Sequence, residues 1–183
     1  ERVRRSGGRV YPGGPEVTLL VDVKADAEPS YRALRELLAG YRDMLTTYRP
    51  GRVERRAVAV ILSGERARTL MEADPDRCVA MDGRLEDLRS RAPVDLVPWI
   101  SASWEQEFRW RGDGPLPAEE REKLARLVRE THAQGRKLRF WATPDRPEAW
   151  QELLSAGVDL LNTDRLEALR DFLLTHPNET PRP

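Results

Sequence analysis

The sequence predicts an α/β fold of parallel strands, of the (β/α)8 barrel type. Three observations carry that expectation. Short apolar or β-branched runs alternate with amphipathic helical stretches, and strict alternation implies parallel strands joined by right-handed crossovers. Several runs begin apolar and turn polar at their carboxyl ends, as Leu20, Asp22 and Lys24 do, or Leu160, Asn162 and Asp164; in a barrel those ends form the mouth of the site. No glycine-rich phosphate loop of the dinucleotide or P-loop pattern follows the first run, which weakens the open nucleotide-binding sheet. One count disagrees, because six strand-helix units are two short of eight and 183 residues fall below the roughly 250 typical of that barrel.

The elements follow in order within an expected single domain covering residues 1–183. Residues 1–15, rich in glycine, proline and arginine, read as an irregular lead-in to six βα units over 16–174. "VTLLVDVK" reads as a buried strand, followed by a helix from about Ser30 to Tyr48 in which Tyr31, Leu34, Leu38, Tyr41 and Leu45 recur at helical spacing. "RAVAVILSG" leads to a helix in "ERARTLMEAD", and "RCVAMDG" to one in "RLEDLRSRA". "DLVPWISAS" leads, past the turn-rich "RWRGDGPLP", to "AEEREKLARLVRETHAQG", with Pro117 placed as a first-turn proline and Gly135 beyond the helix end. "KLRFWATP" precedes a helix closed by Gly157, and "VDLLNTD" precedes "RLEALRDFLLTH", where Asp164 and Glu167 have capping-box spacing. Residues 175–183 read as a polar tail.

Composition excludes several functions. Acidic and basic residues are equal at 31 each, so no long-range field draws the chain to nucleic acid or an anionic membrane. No apolar run approaches the roughly 20 residues of a transmembrane helix, and nothing after "ERVRRSGGRV" reads as the hydrophobic part of a signal peptide. The single cysteine, Cys78, excludes an internal disulfide and a cysteine-rich zinc site; it reads as a small buried hydrophobe. A serine hydrolase lacks support, since the nucleophile-elbow pattern is absent and His132 and His176 sit at helix ends. Lysine occurs only at Lys24, Lys123 and Lys137, so a lysine two residues from Asp22 on one strand face carries information.

"LLVDVKAD", "SGERA", "MDGRLEDL", "ISASWEQEF" and above all "RKLRFWATPDRPEAWQELLSAGVDLLNTDRLEALRDFL" resemble the glycerophosphodiester phosphodiesterase and phosphatidylinositol-specific phospholipase C superfamily. The similarity runs from Val17 to Leu173 and is strongest to the branch of altered inheritance of mitochondria protein 6. The resemblance implies metal-assisted phosphodiester hydrolysis at a barrel mouth, acting on a glycerophosphodiester or a phospholipid-type head group. It implies that Asp22 is a ligand to a divalent cation, calcium or magnesium, where the family commonly has glutamate. Lys24 would be the catalytic residue that neutralises charge on the phosphate. Arg139, Trp141, Trp104 and Asn162 would bind substrate. The family's catalytic histidines and acidic pair have no counterparts here, so the chain reads as strands three to eight of a barrel, catalytically incomplete as written. An extracytoplasmic setting is the lean that the resemblance gives.

Plainer readings stand beside these. Asp22 and Lys24 could be a local ion pair ending a strand. Trp141 could be a core aromatic beside a snorkelling Arg139, and Asp164 a helix cap. Ser63, Gly64, Asp82, Gly83, Ser101 and Ser103 sit where substrate loops begin, yet such residues are ordinary turn chemistry. The alternative function is a non-catalytic barrel that binds a phosphorylated ligand or a partner protein. A chain of six units alone would expose strand edges and call for an oligomer.

Overall fold

The computed structural model describes residues 2–176; the expected tail beyond His176 lies outside them. The described chain forms two compact units, residues 2–83 with 91–98 and residues 84–90 with 99–176. Both have the α/β character expected, with parallel strands.

In the first unit a short helix, α1 (Arg2–Arg5), precedes β1 (Val17–Val23), which pairs in parallel with β4 (Val58–Gly64), and β4 in turn with β5 (Val79–Gly83). Between β1 and β4 lie α2 (Ala27–Ala39) and an antiparallel hairpin of β2 (Thr47–Arg49) and β3 (Arg52–Glu54); α3 (Arg68–Ala73) joins β4 to β5. Central β4 shows why "VAVIL" is apolar without alternation. A strand flanked by neighbours in a parallel sheet is covered on both faces, and residues 59–63 are all buried. β1 corrects the expectation of a buried strand. Its one partner among the described residues is β4, and Thr18, Leu19 and Asp22 are exposed.

The helix expected over Ser30–Tyr48 is also corrected, since α2 ends at Ala39. Residues 41–44 form turns, and Thr46, Thr47 and Tyr48 are buried in extended chain. The β-branched pair Thr46–Thr47 favours strand, and Pro50–Gly51, with Gly51 at φ 69°, makes the hairpin turn. Helical spacing carried on past the true end because Tyr41 and Leu45 fell in register by chance.

In the second unit β6 (Trp99–Ser103), β7 (Lys137–Trp141) and β8 (Leu160–Leu161) run parallel. They are joined by α4 (Trp104–Glu107), α5 (Ala118–His132) and α6 (Pro147–Ala156), with α7 (Leu166–Thr175) last. "RLEDLRSRA" forms only a 3-10 segment, Leu85–Arg89, and the strand expected from Asp95 begins at Trp99. Leu124, Leu127, Val128 and Thr131 make the buried face of α5. Pro117 stands at the N-cap, one place before the first turn. Gly135 and Gly157 take left-handed φ of 69° and 87°, as expected. Each is followed by an amide that reaches back over the helix end, Arg136 to the Thr131 carbonyl and Val158 to that of Leu153. An aromatic core of Trp104, Phe108 and Phe140 packs this unit, and Trp150, Leu154 and Phe172 form a second cluster.

Candidate functional site

Parallel pairing aligns the carboxyl ends of the first unit's strands. Asp22 is the register partner of Ser63, and the β4–β5 register extended by one residue sets Ser63 beside Asp82, so the three share one cross-strand row. Ser63 Oγ donates to Asp82 Oδ2 at 2.6 Å, and both side chains are buried. Arg66 Nη1 donates to the Asp82 carbonyl at 2.7 Å. Two positions beyond Asp22 and just past the end of β1, Lys24 lies with Nζ 2.5 Å from Asp22 Oδ2. That pair is open to solvent, with side chains 84% and 50% exposed.

Gly64 permits this arrangement. It has φ 72°, and a Cβ there would stand 2.1 Å from the Val23 carbonyl oxygen and 2.4 Å from Asp22 Oδ1. Beyond β1 the chain turns into α2 through Asp26, a non-glycine residue at φ 55°. Left-handed backbone away from glycine concentrates at functional loops, and the other described instance, Ala142 at φ 53°, follows β7.

In the second unit Arg139 is the register partner of Ser101, and Asn162 stands two residues beyond its other partner, Leu160. The Arg139 guanidinium donates to Asn162 Oδ1 and reaches Ser101 Oγ at 3.4 Å. Arg139 and Asn162, both expected at the substrate site, are therefore brought together. Trp141 is 41% exposed, which removes the core reading for its ring. The loop after β7 lines a polar cavity of about 250 Å³ with Glu105 and Arg111.

Trp104 corrects its expectation. Its ring is fully buried, stacks on Phe108 at 4.0 Å, and donates from Nε1 to the Trp110 carbonyl, so it belongs to the core and offers no ligand surface. Asp164 does not cap α7, whose N-cap is Arg165 without a side-chain cap. Sequence reading missed Asp145, whose carboxylate accepts from Thr163 Oγ and the Asp164 amide. The Pro144–Asp145 step just before a helix was the signal available. His132 ends α5 and sits 2.8 Å from Asp159 Oδ2, which also accepts the Leu138 amide at the start of β7. It thus lies at the amino ends of this unit's strands, as expected, away from Arg139 and Asn162. His176 follows α7 and stacks on Phe172 at 4.3 Å.

The donor set answers the question of a cation. Among the described residues no three His, Cys, Asp or Glu side chains gather as a metal site requires. Asp22 supplies one carboxylate, already paired with Lys24, whereas calcium takes six to eight oxygens. The described residues alone do not make a metal site. A larger cavity, about 620 Å³, is lined by residues of α2 and α3 and the amino end of β5, and four of its charges pair internally, Arg35 with Asp74 and Arg42 with Asp76.

A profile of the glycerophosphoryl diester phosphodiesterase family matches residues 137–167, the stretch holding Arg139, Trp141, Asp145 and Asn162. The chain is similar to this family. Over 175 residues, 87% of the chain, it is also 26% identical to the altered inheritance of mitochondria protein 6 homolog of Arthroderma benhamiae. The chain spans 54% of that relative's length. No solved structure matches. The resemblance to glycerophosphodiesterases that the motifs suggested is borne out, and its profile match falls on β7 through the start of α7, outside Asp22 and Lys24.

Proposed function

We propose that this chain is part of a phosphodiesterase of the glycerophosphodiesterase or phospholipase C type, a (β/α)8 enzyme acting on a glycerophosphodiester or phospholipid-type head group. The observation that carries the reading is the Asp22–Lys24 pair at the carboxyl end of β1, alongside the family match. Cleavage of a phosphodiester builds negative charge on the phosphoryl oxygens and the leaving oxygen, and a fixed cation lowers that barrier. Lys24 suits the task physically. An exposed ion pair is worth about 0–1 kcal/mol, so exchanging the Asp22 carboxylate for a phosphate oxygen costs little. Asp22 holds the ammonium in place before substrate arrives, and it would be one oxygen ligand among several to a calcium or magnesium ion. The described residues do not complete a metal site. Arg139 forks onto a phosphate or hydroxyl oxygen, Asn162 adds an amide, and Trp141 stacks on a glycerol or sugar-like face.

The test is a phosphodiesterase assay of the protein carrying this chain, with glycerophosphodiesters as substrates and calcium or magnesium supplied. Lys24→Ala should lower kcat by about 100- to 1,000-fold, the usual loss for one group stabilising transition-state charge. Undiminished turnover in that variant would sink the assignment of Lys24. Binding of a phosphorylated ligand with no turnover in the unsubstituted protein would replace the enzyme with a non-catalytic binding barrel.

A further inference from the structure

Asn162 is held from two directions. Its side-chain oxygen accepts from the Arg139 guanidinium, which has only donors, so the amide orientation is fixed: Oδ1 on Arg139 and Nδ2 away from it. Nδ2 has no acceptor among the described residues. Its main-chain oxygen accepts from Thr143 Oγ at 3.0 Å, which ties the loop after β8 to the loop after β7.

The next residues carry the same tie further. Asp145 accepts the Thr163 hydroxyl on Oδ1 and the Asp164 amide on Oδ2, the latter at 3.0 Å. Thr163 Oγ in turn accepts the Arg165 amide at 2.9 Å, and Arg165 Nη1 donates to the Asp145 carbonyl at 3.3 Å. One carboxylate thus fixes the two residues that lead into α7 from the other loop, ahead of its N-cap Arg165. The left-handed turn at Ala142 is what aims residues 143–145 at residues 162–165. Such a turn is costly for alanine, and the Asp145 clip on Thr163 and Asp164 reinforces the direct bond from Thr143 to the Asn162 carbonyl.

We propose that Asp145 is a positioning residue: by clipping the loop after β8 to the loop after β7 it holds Asn162 with its oxygen on Arg139 and its amide nitrogen presented as a hydrogen-bond donor to a phosphate-ester ligand. The ligand part rests on the phosphodiesterase reading; the clip does not. Two donors side by side, an amide N–H and a guanidinium, match adjacent oxygens of a phosphomonoester or phosphodiester and would reject a cation.

The experiment uses the ¹⁵N-labelled full chain, with the Asn162 side-chain amide pair assigned by its loss in Asn162→Asp, and glycerol 3-phosphate as the probe. Asp145→Ala should move or broaden the Asn162 amide pair and weaken glycerol 3-phosphate about tenfold, the value of one well-placed hydrogen bond. Asp145→Asn, which keeps an acceptor for the Asp164 amide, should restore most of both. Should Asp145→Ala fail to fold, Thr163→Val removes the same clip from the opposite side and should move the same resonance. An Asn162 amide pair unchanged in Asp145→Ala or Thr163→Val, even with a lower melting temperature, makes Asp145 a loop tie that does not position Asn162 and overturns the proposal. If the unsubstituted chain ignores glycerol 3-phosphate, the phosphodiesterase reading and the ligand part fall together, while the amide resonance still decides the clip.

Discussion

Two single residues show how backbone conformation sets the candidate sites. At Gly64 a left-handed φ coincides with contact against the Val23 carbonyl and the Asp22 carboxylate, so any side chain must push β1 and β4 apart. Gly64→Ala should cost about 2–4 kcal/mol, from strain plus steric overlap, and should displace Asp22. Chemical denaturation measures the first; stability within 0.5 kcal/mol of the parent would show that the two strand ends separate easily. Ala142 is the opposite case, a left-handed alanine where glycine would relax the turn. Ala142→Gly should be neutral to about 1 kcal/mol stabilising, since relieved strain slightly exceeds the added unfolded-state entropy. A marked loss of stability would mean that the alanine methyl packs usefully. Neither conformation is written in residue type: glycine suggested one, and nothing in "WATPD" announced the other.

At the scale of elements, what holds the first unit's loops is a buried ion pair that periodicity does not reveal. Arg77 and Asp95 are 4% and 9% exposed, joined at 3.0 Å, and Arg77 also donates to the carbonyls of Met71 and Asp95. This ties the turn after α3 to the segment ahead of Val97. Asp95→Ala leaves a buried guanidinium short of its countercharge and should cost about 3–5 kcal/mol. Asp95→Asn, which keeps an acceptor, should cost less, and equal losses for the two would argue against a charge-based role. Strand and helix alternation was legible because "VAVIL" and the face of α5 bury opposite kinds of pattern. Helix ends were less so. The end of α2 and the collapse of "RLEDLRSRA" to a 3-10 segment depend on what Thr46–Tyr48 and Asp87 meet in space. Asp87 is buried, and its carboxylate accepts the Arg84 amide at 2.8 Å, which fixes a tight turn where helical spacing implied several.

For the whole molecule, equal numbers of acids and bases leave acid stability to particular pairs. Hydrogen bonding from Arg42 holds the Asp76 carboxyl below the usual carboxylate range. A carboxyl lowered in the folded state binds fewer protons there than when unfolded. Its stabilisation is present at neutral pH and is lost as pH falls through the lowered value. Asp76→Asn should therefore flatten part of the acid limb of a stability-versus-pH curve; because Asp76 is nearly half exposed, the change should be small. A steeper acid limb in the variant would contradict the sign. No helix of the described residues is long and apolar enough to cross a membrane.

By itself the sequence determined the α/β class, the parallel strands, the family resemblance and the pairing of Asp22 with Lys24, because these depend on period, on spacing of two along a strand, and on motif residues adjacent in the chain. Tertiary structure alone decided that Trp104 is core and Trp141 open, that Arg139 meets Asn162, and that Asp145 holds Thr163 and Asp164 ahead of α7. The Arg139–Asn162 and Asp145–Asp164 contacts join residues 23 and 19 positions apart, where strand register and loop conformation, not local pattern, choose the partner.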